Sequence, residues 1–157
     1  MSTLHTRLSD ALKDALRANH SLRKRTLRGA LASIKQAEVD SLLPDGQTEL
    51  PETGIAILLQ MEVRAHQVTI ADAERAGRDD LVSEMRERIS ILEEFLPKQL
   101  SRDEISTLAK TVIIKVGADS QRHMGEVMKR LMPQLYGQAE GKLVSSVVSE
   151  LLTRKGR

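Results

Sequence analysis

The chain has no cysteine and no tryptophan, and only one phenylalanine (Phe95) and one tyrosine (Tyr136) in 157 residues. Without cysteine there can be no disulfides, thiolate metal sites or cysteine nucleophile, and a reducing compartment such as the cytoplasm is expected. So few aromatics exclude an aromatic-rich core, and a core of Leu, Ile, Val, Met and Ala favours closely packed helices over a β-sandwich. No apolar run approaches the roughly 18 residues that span a bilayer, so no membrane association is expected. The N-terminus MSTLHTRLSDALKDALR is charged and amphipathic and shows no secretory signal.

What is present is helical periodicity. Leu4, Leu8, Ala11, Leu12, Ala15 and Leu16 recur at three- and four-residue steps and predict a helix from about Thr3 to Ala18. After Asn19-His20-Ser21, a second stripe of Leu27, Ala30, Leu31, Ile34 and Ala37 follows. Leu43–Pro51, with two prolines and a glycine, reads as a loop. A third helix is expected over about Glu52–Ala76, with Gly77 at its C-terminal cap. Asp79 is expected to cap a fourth, carrying Leu81, Met85, Ile89, Leu92 and Leu96. Pro97 opens a second block. Ser101-Arg102-Asp103-Glu104 has the spacing of a capping box, ahead of a helix with Ile105, Leu108, Val112 and Val116 that stops at Gly117. Asp119-Ser120 should cap the next, with Met124, Val127, Met128 and Leu131 on one face until Pro133 and Gly137 end it. Leu143, Val144, Val147, Val148 and Leu151 mark a last helix, before a frayed basic tail, Arg154–Arg157. The expected protein is all-α: a helical hairpin or bundle lobe over 1–96 and a three-helix lobe over 97–157.

The net charge of +2 conceals a division. Residues 1–40 carry eight Lys/Arg against four Asp/Glu, residues 41–96 five against twelve, and residues 97–157 eleven against six. Two basic ends around an acidic middle fit either two polyanion-facing surfaces or docking of the ends onto the middle.

Catalytic constellations fail on spacing. His5, His20, His66 and His123 are scattered, so no metal or cofactor site is expected. Gly137–Lys142 is one residue short of a phosphate loop and has Leu143 where Ser or Thr should hold magnesium. Glu93 and Glu94 diverge on a helix, and Ser145, Ser146 and Ser149 have no base. Binding chemistry is better represented. At about 100° per residue, Lys24, Arg25, Arg28 and Lys35 project away from Leu27, Leu31 and Ile34, a basic stripe backed by an apolar one. Arg23 lies nearer the apolar edge, where it would pair inward. Arg122, Lys129, Arg130 and Lys142 form a candidate second patch. Met124, Met128 and Met132 offer either core packing or a soft partner interface. Stacking aromatics typical of single-strand readers are missing, which points to backbone- and shape-based contacts.

Three segments in the same order resemble the YqeY-like family, whose C-terminal part recurs as the tail of the B subunit of glutamyl/aspartyl-tRNA amidotransferase. They are Arg23–Glu38, the stretch ILEEFLPKQLS (Ile91–Ser101), and Gly117–Gly141 with Met124-Gly125, Val127-Met128, Leu131-Met132-Pro133 and the Gly137/Gly141 turn. The resemblance implies a two-lobed all-α fold with its boundary near Pro97. Its tail lobe helps hold tRNA in the amidotransferase, whose ATP- and metal-using domain has no counterpart here. A non-catalytic tRNA- or structured-RNA-binding protein is therefore expected, working beside amidotransferase or translation components. The alternatives are a protein-docking module using the Met face and an accessory to glutamine-dependent carbon–nitrogen ligation. The chain departs from the family pattern at His123, where an acid is common, at Glu126 in place of Lys, and at Lys129 in place of a small residue. Lys24 replaces an apolar residue, and the basic run of the third helix is thinned to Arg64 and His66.

Overall fold

Long stretches without Pro or Gly leave helix as the default, and a few specialised residues punctuate it. The computed structural model describes residues 3–40 and 49–155. It divides into two compact units, Met1–Leu96 and Pro97–Arg157. The first contains α1 (Thr3–Arg17), α2 (Ser21–Asp40), α3 (Glu52–Arg75) and α4 (Asp79–Glu93). The second contains α5 (Arg102–Val116), a 3-10 turn (Gln121–His123), α6 (Met124–Leu135) and α7 (Gly141–Lys155). There is no strand among the described residues, and the protein is all-α. No helix there is long and apolar enough to cross a membrane. The loop expected over Leu43–Pro51 lies outside the described residues as far as residue 48.

Three helices end by the same device. Asn19, Gly77 and Gly117 adopt left-handed φ values of 55°, 68° and 72°. In each case the following amide bonds back five residues: His20 N to Ala15 O at 3.0 Å, Arg78 N to Ala73 O at 2.9 Å and Ala118 N to Ile113 O at 3.0 Å. These bonds satisfy carbonyls that the helix ends would otherwise orphan. The Ser101 capping box forms as its spacing predicts. Glu104 N donates to Ser101 Oγ (3.2 Å) and Ser101 N donates to Glu104 Oε2 (3.0 Å).

Other boundaries differ from expectation. Arg78, not Asp79, precedes α4, and no side-chain cap forms there. Its guanidinium instead holds Asp80 through two 3.1 Å bonds. Helix α4 stops at Glu93 rather than reaching Leu96, and the chain tightens there into turns in which Phe95 N donates to Leu92 O (3.1 Å) and Leu96 N to Glu93 O (3.3 Å). Ser120 caps only the 3-10 turn, without a side-chain bond, so α6 begins at Met124. Pro133 lies inside α6 instead of ending it. The lost amide is near the exposed end of the helix, and complete burial of Leu135 holds the final residues in place. Arg154 and Lys155 belong to α7, and Lys155 Nζ donates to Ala118 O (3.3 Å).

Each unit has its own aliphatic core. Leu8, Leu27, Ile34 and Leu92 are wholly buried in the first, with Leu4, Ile55 and Leu59 beside them. Phe95 joins this core while the Arg7 guanidinium sits 5.4 Å from its ring centroid and donates to Glu94 O. The second core centres on Ile105, Val127, Leu131, Leu135, Val144 and Leu152, all wholly buried. Leu108, Val116, Leu143 and Leu151, expected as core, lie partly buried at its edge.

The Ser101→Ala variant loses the hydroxyl that accepts from Glu104 N and keeps the residue-101 amide that donates to Glu104 Oε2. It should lower stability by about 1 kcal/mol, read as a fall in the urea midpoint of the Pro97–Arg157 unit at unchanged slope. An unaltered midpoint would show the hydroxyl's bond to be dispensable.

Candidate nucleic-acid interface

The basic residues of α2 are sorted by their partners. Arg23 pairs inward, as its position near the apolar edge predicts, through Nη1 to Glu94 Oε1 (3.1 Å) and Nη2 to Glu94 Oε2 (2.9 Å). Glu94 is thereby a strut and not half of a dyad with Glu93. Arg25 reaches Glu84 of α4 at 3.5 Å. Lys24 is half-buried, whereas Arg28 and Lys35 are exposed; none of the three has an ion-pair partner among the described residues. With spacings of four and seven residues they lie within about 40° of one another on the helix and span about 16 Å of its length. The stripe is narrower than the sequence suggests, because Arg25 is partly neutralised.

Glu84 also holds Arg88 (3.5 Å), whose side chain is mostly covered and whose Nε has no partner among the described residues. His66 of α3 lies near this guanidinium. Burial lowers its pKa from the ordinary 6.5, Arg88 lowers it further, and Glu62 opposes both. The α2–α4 and α3–α4 packing is thus accompanied by a charge network, Arg25–Glu84–Arg88, and burial first and Arg88 second favour neutral His66.

In the second unit Arg122, Lys129, Arg130 and Lys142 are all exposed, with no ion pair among the described residues. They do not converge on one point. Arg122 precedes α6 and Lys142 follows it, at opposite ends of a twelve-residue helix about 18 Å long. Lys129 and Arg130 are adjacent on α6 and therefore diverge by about 100°. The sequence reading missed Lys110 and Lys115, which are exposed on α5 and likewise without an ion pair there. The signal was available for Lys110, which at about 100° per residue falls far outside the Ile105/Leu108/Val112 stripe, but not for Lys115, which lies about 20° from Leu108.

The cations that do pair here occupy structural positions. Lys98 bonds Glu104 (3.1 Å), and Glu150 bridges Arg102 (2.5 Å) and Arg154 (2.6 Å). The Ser101 amide and then Lys98 hold the Glu104 carboxyl below its usual range, and Arg102 and then Arg154 do the same for Glu150. Met124, Met128 and Met132 lie partly buried against their own unit's core, which leaves only part of each available to a partner. His123 braces the turn before α6, its Nδ1 3.1 Å from Asp119 Oδ1.

The described residues define the class as an all-helical protein of two compact units, each with exposed cations on its helices. The chain is a member of the YqeY-like family: a model of the family described as "Yqey-like protein" matches residues 5–152. Two curated relatives share the name "Altered inheritance of mitochondria protein 41, mitochondrial". The one from Pyrenophora tritici-repentis is 24% identical over 152 residues, covering 95% of this chain and 81% of the relative. The one from Kluyveromyces lactis is 35% identical over 101 residues, covering 62% of this chain; the match spans 52% of that relative's length.

Because the folded environment depresses the pKa of His66, the unfolded chain binds more protons between the folded value and 6.5. Stability should therefore be fully present above about pH 6.5 and fall as the pH drops toward the folded value. Urea midpoints between about pH 7.5 and 5.5 should show this slope, and His66→Gln should flatten it. An equal slope in the variant would assign the effect to other groups.

Proposed function

We propose that this protein binds structured RNA, with tRNA as the preferred class, through basic side chains that the fold leaves without carboxylate partners. One observation carries the reading. In the first unit Arg17, Arg23, Arg25, Arg75, Arg78, Arg86 and Arg88 all have acidic partners, while Lys24, Arg28 and Lys35 share one stripe with none among the described residues. The second unit adds Lys110, Lys115, Arg122, Lys129, Arg130 and Lys142 in the same condition. Uncompensated cations on rigid helices match phosphates by position and charge, and each contact releases counterions. The family's kinship to the tRNA-holding tail of the amidotransferase supports tRNA as the RNA, with amidotransferase or translation components as neighbours. The protein's own role in this reading is to hold RNA. The compartment proposed is the cytoplasm; both relatives are named as mitochondrial, and fractionation of tagged protein distinguishes the two addresses.

Titration of total tRNA against the full-length protein should give an affinity that falls steeply as salt rises. Arg28→Glu with Lys35→Glu should weaken binding about tenfold or more at low salt and reduce the log–log salt slope by about 1 to 2, with thermal stability unchanged. No binding even at low salt would overturn the reading in favour of a protein partner.

A further inference from the structure

The α6–α7 turn places an aromatic ring in solvent. Helix α6 ends at Leu135, and Tyr136 leaves helical geometry (φ −56°, ψ 128°). Gly137, with φ 78°, then returns the chain inward. Leu135, Gly137 and Ala139 are buried, and Tyr136 between them is 46% exposed. Phe95 is buried, so Tyr136 is the only exposed aromatic among the described residues. The turn beneath it is braced from several sides. Gln138 N and Ala139 N both donate to Leu135 O (2.9 and 3.1 Å), Leu100 N donates to Gln138 O (2.8 Å), and Gln99 Nε2 donates to Gly137 O (2.7 Å). The ring is therefore carried on a fixed backbone instead of a loose loop. Exposed Lys142 follows in the first turn of α7, with Glu140 the one carboxylate between them.

We infer that Tyr136 is a stacking platform for an unpaired base, with Lys142 meeting the adjoining phosphate. The inference rests on the RNA-binding reading and deepens it: it adds selection for RNA carrying unpaired nucleotides to contacts that otherwise sense charge and shape. A ring held by its neighbours' burial loses little freedom on stacking, its face accepts any base, and its hydroxyl stays in water. An exposed cation six residues further along the same turn-and-helix segment, with no ion pair among the described residues, favours a nucleic-acid occupant over an apolar peptide.

The protein supplies its own probe. It has one tyrosine and no tryptophan, so the intrinsic tyrosine emission of the full-length chain reports Tyr136 alone. The experiment titrates an RNA stem-loop with an unpaired loop and, separately, a blunt duplex of the same stem. Stem-loop binding should quench the emission and duplex binding should not. Tyr136→Ala should weaken stem-loop binding about 5- to 100-fold and leave duplex binding unchanged, while Tyr136→Phe retains most of the stem-loop affinity. The half-exposed ring makes loss of folding a separate, directly measurable event by circular dichroism. Unchanged emission at saturating stem-loop, or wild-type affinity in Tyr136→Ala, would overturn this inference alone. Failure of the wild-type protein to bind either RNA at low salt would overturn the RNA reading and this inference with it.

Discussion

Aliphatic burial between helices is the constraint on which the rest of this structure depends. With no disulfide and a single buried aromatic, each core must be assembled from many Leu, Ile, Val and Ala contacts, each fully buried branched side chain contributing about 1.5–3 kcal/mol. Closely spaced helices satisfy that requirement, because small and medium side chains interdigitate at short interaxial distance. Most of the apolar stripe of each helix is consumed in this way, although Leu16 of α1, expected on the inner face, is exposed and the methionines of α6 are only partly covered. The outer faces of α2, α5 and α6 are then left to charge, and their cations are available because the core makes no demand on those positions.

Electrostatics acts second, as a sorting device. Carboxylates of α4 and its C-terminal extension reach α2 through Glu84 and Glu94, so part of the acidic middle of the chain is spent as struts between helices. This favours intramolecular pairing as one use of the charge asymmetry, for Arg23 and Arg25 at least. Surface pairs of this kind add little stability individually. Their larger effect is to determine which cations remain open to an outside polyanion among the described residues: the stripe of Lys24, Arg28 and Lys35, with Lys13 on α1, in the first unit, and the dispersed set around α5 and α6 in the second.

Much of the fold was legible because its signals are local. The S-x-x-E spacing at Ser101 and the glycines at 77 and 117 act through bonds spanning three to five residues, and so does the left-handed Asn19. Arg23's inward pairing followed from its angle on the helix alone. The misread boundaries were those where tertiary burial competes with local preference. Pro133 is a helix breaker by propensity, but Leu135 two residues later is wholly buried and keeps the turn helical. Asp79 and Ser120 have good capping side chains, yet neither makes a side-chain cap, the first because it already lies inside the helix.

The sequence by itself determined the all-helical class, the approximate extent of each helix, and the inner and outer faces of α2. Periodicity and capping are properties of neighbours along the chain. Only the tertiary structure decided which basic residues are neutralised, since Glu84 and Glu94 lie 59 and 71 positions from Arg25 and Arg23. It likewise decided that Tyr136 stands in solvent while Phe95 is buried. Both are lone aromatics beside helix ends, and their fates depend on what the folded chain packs around each turn.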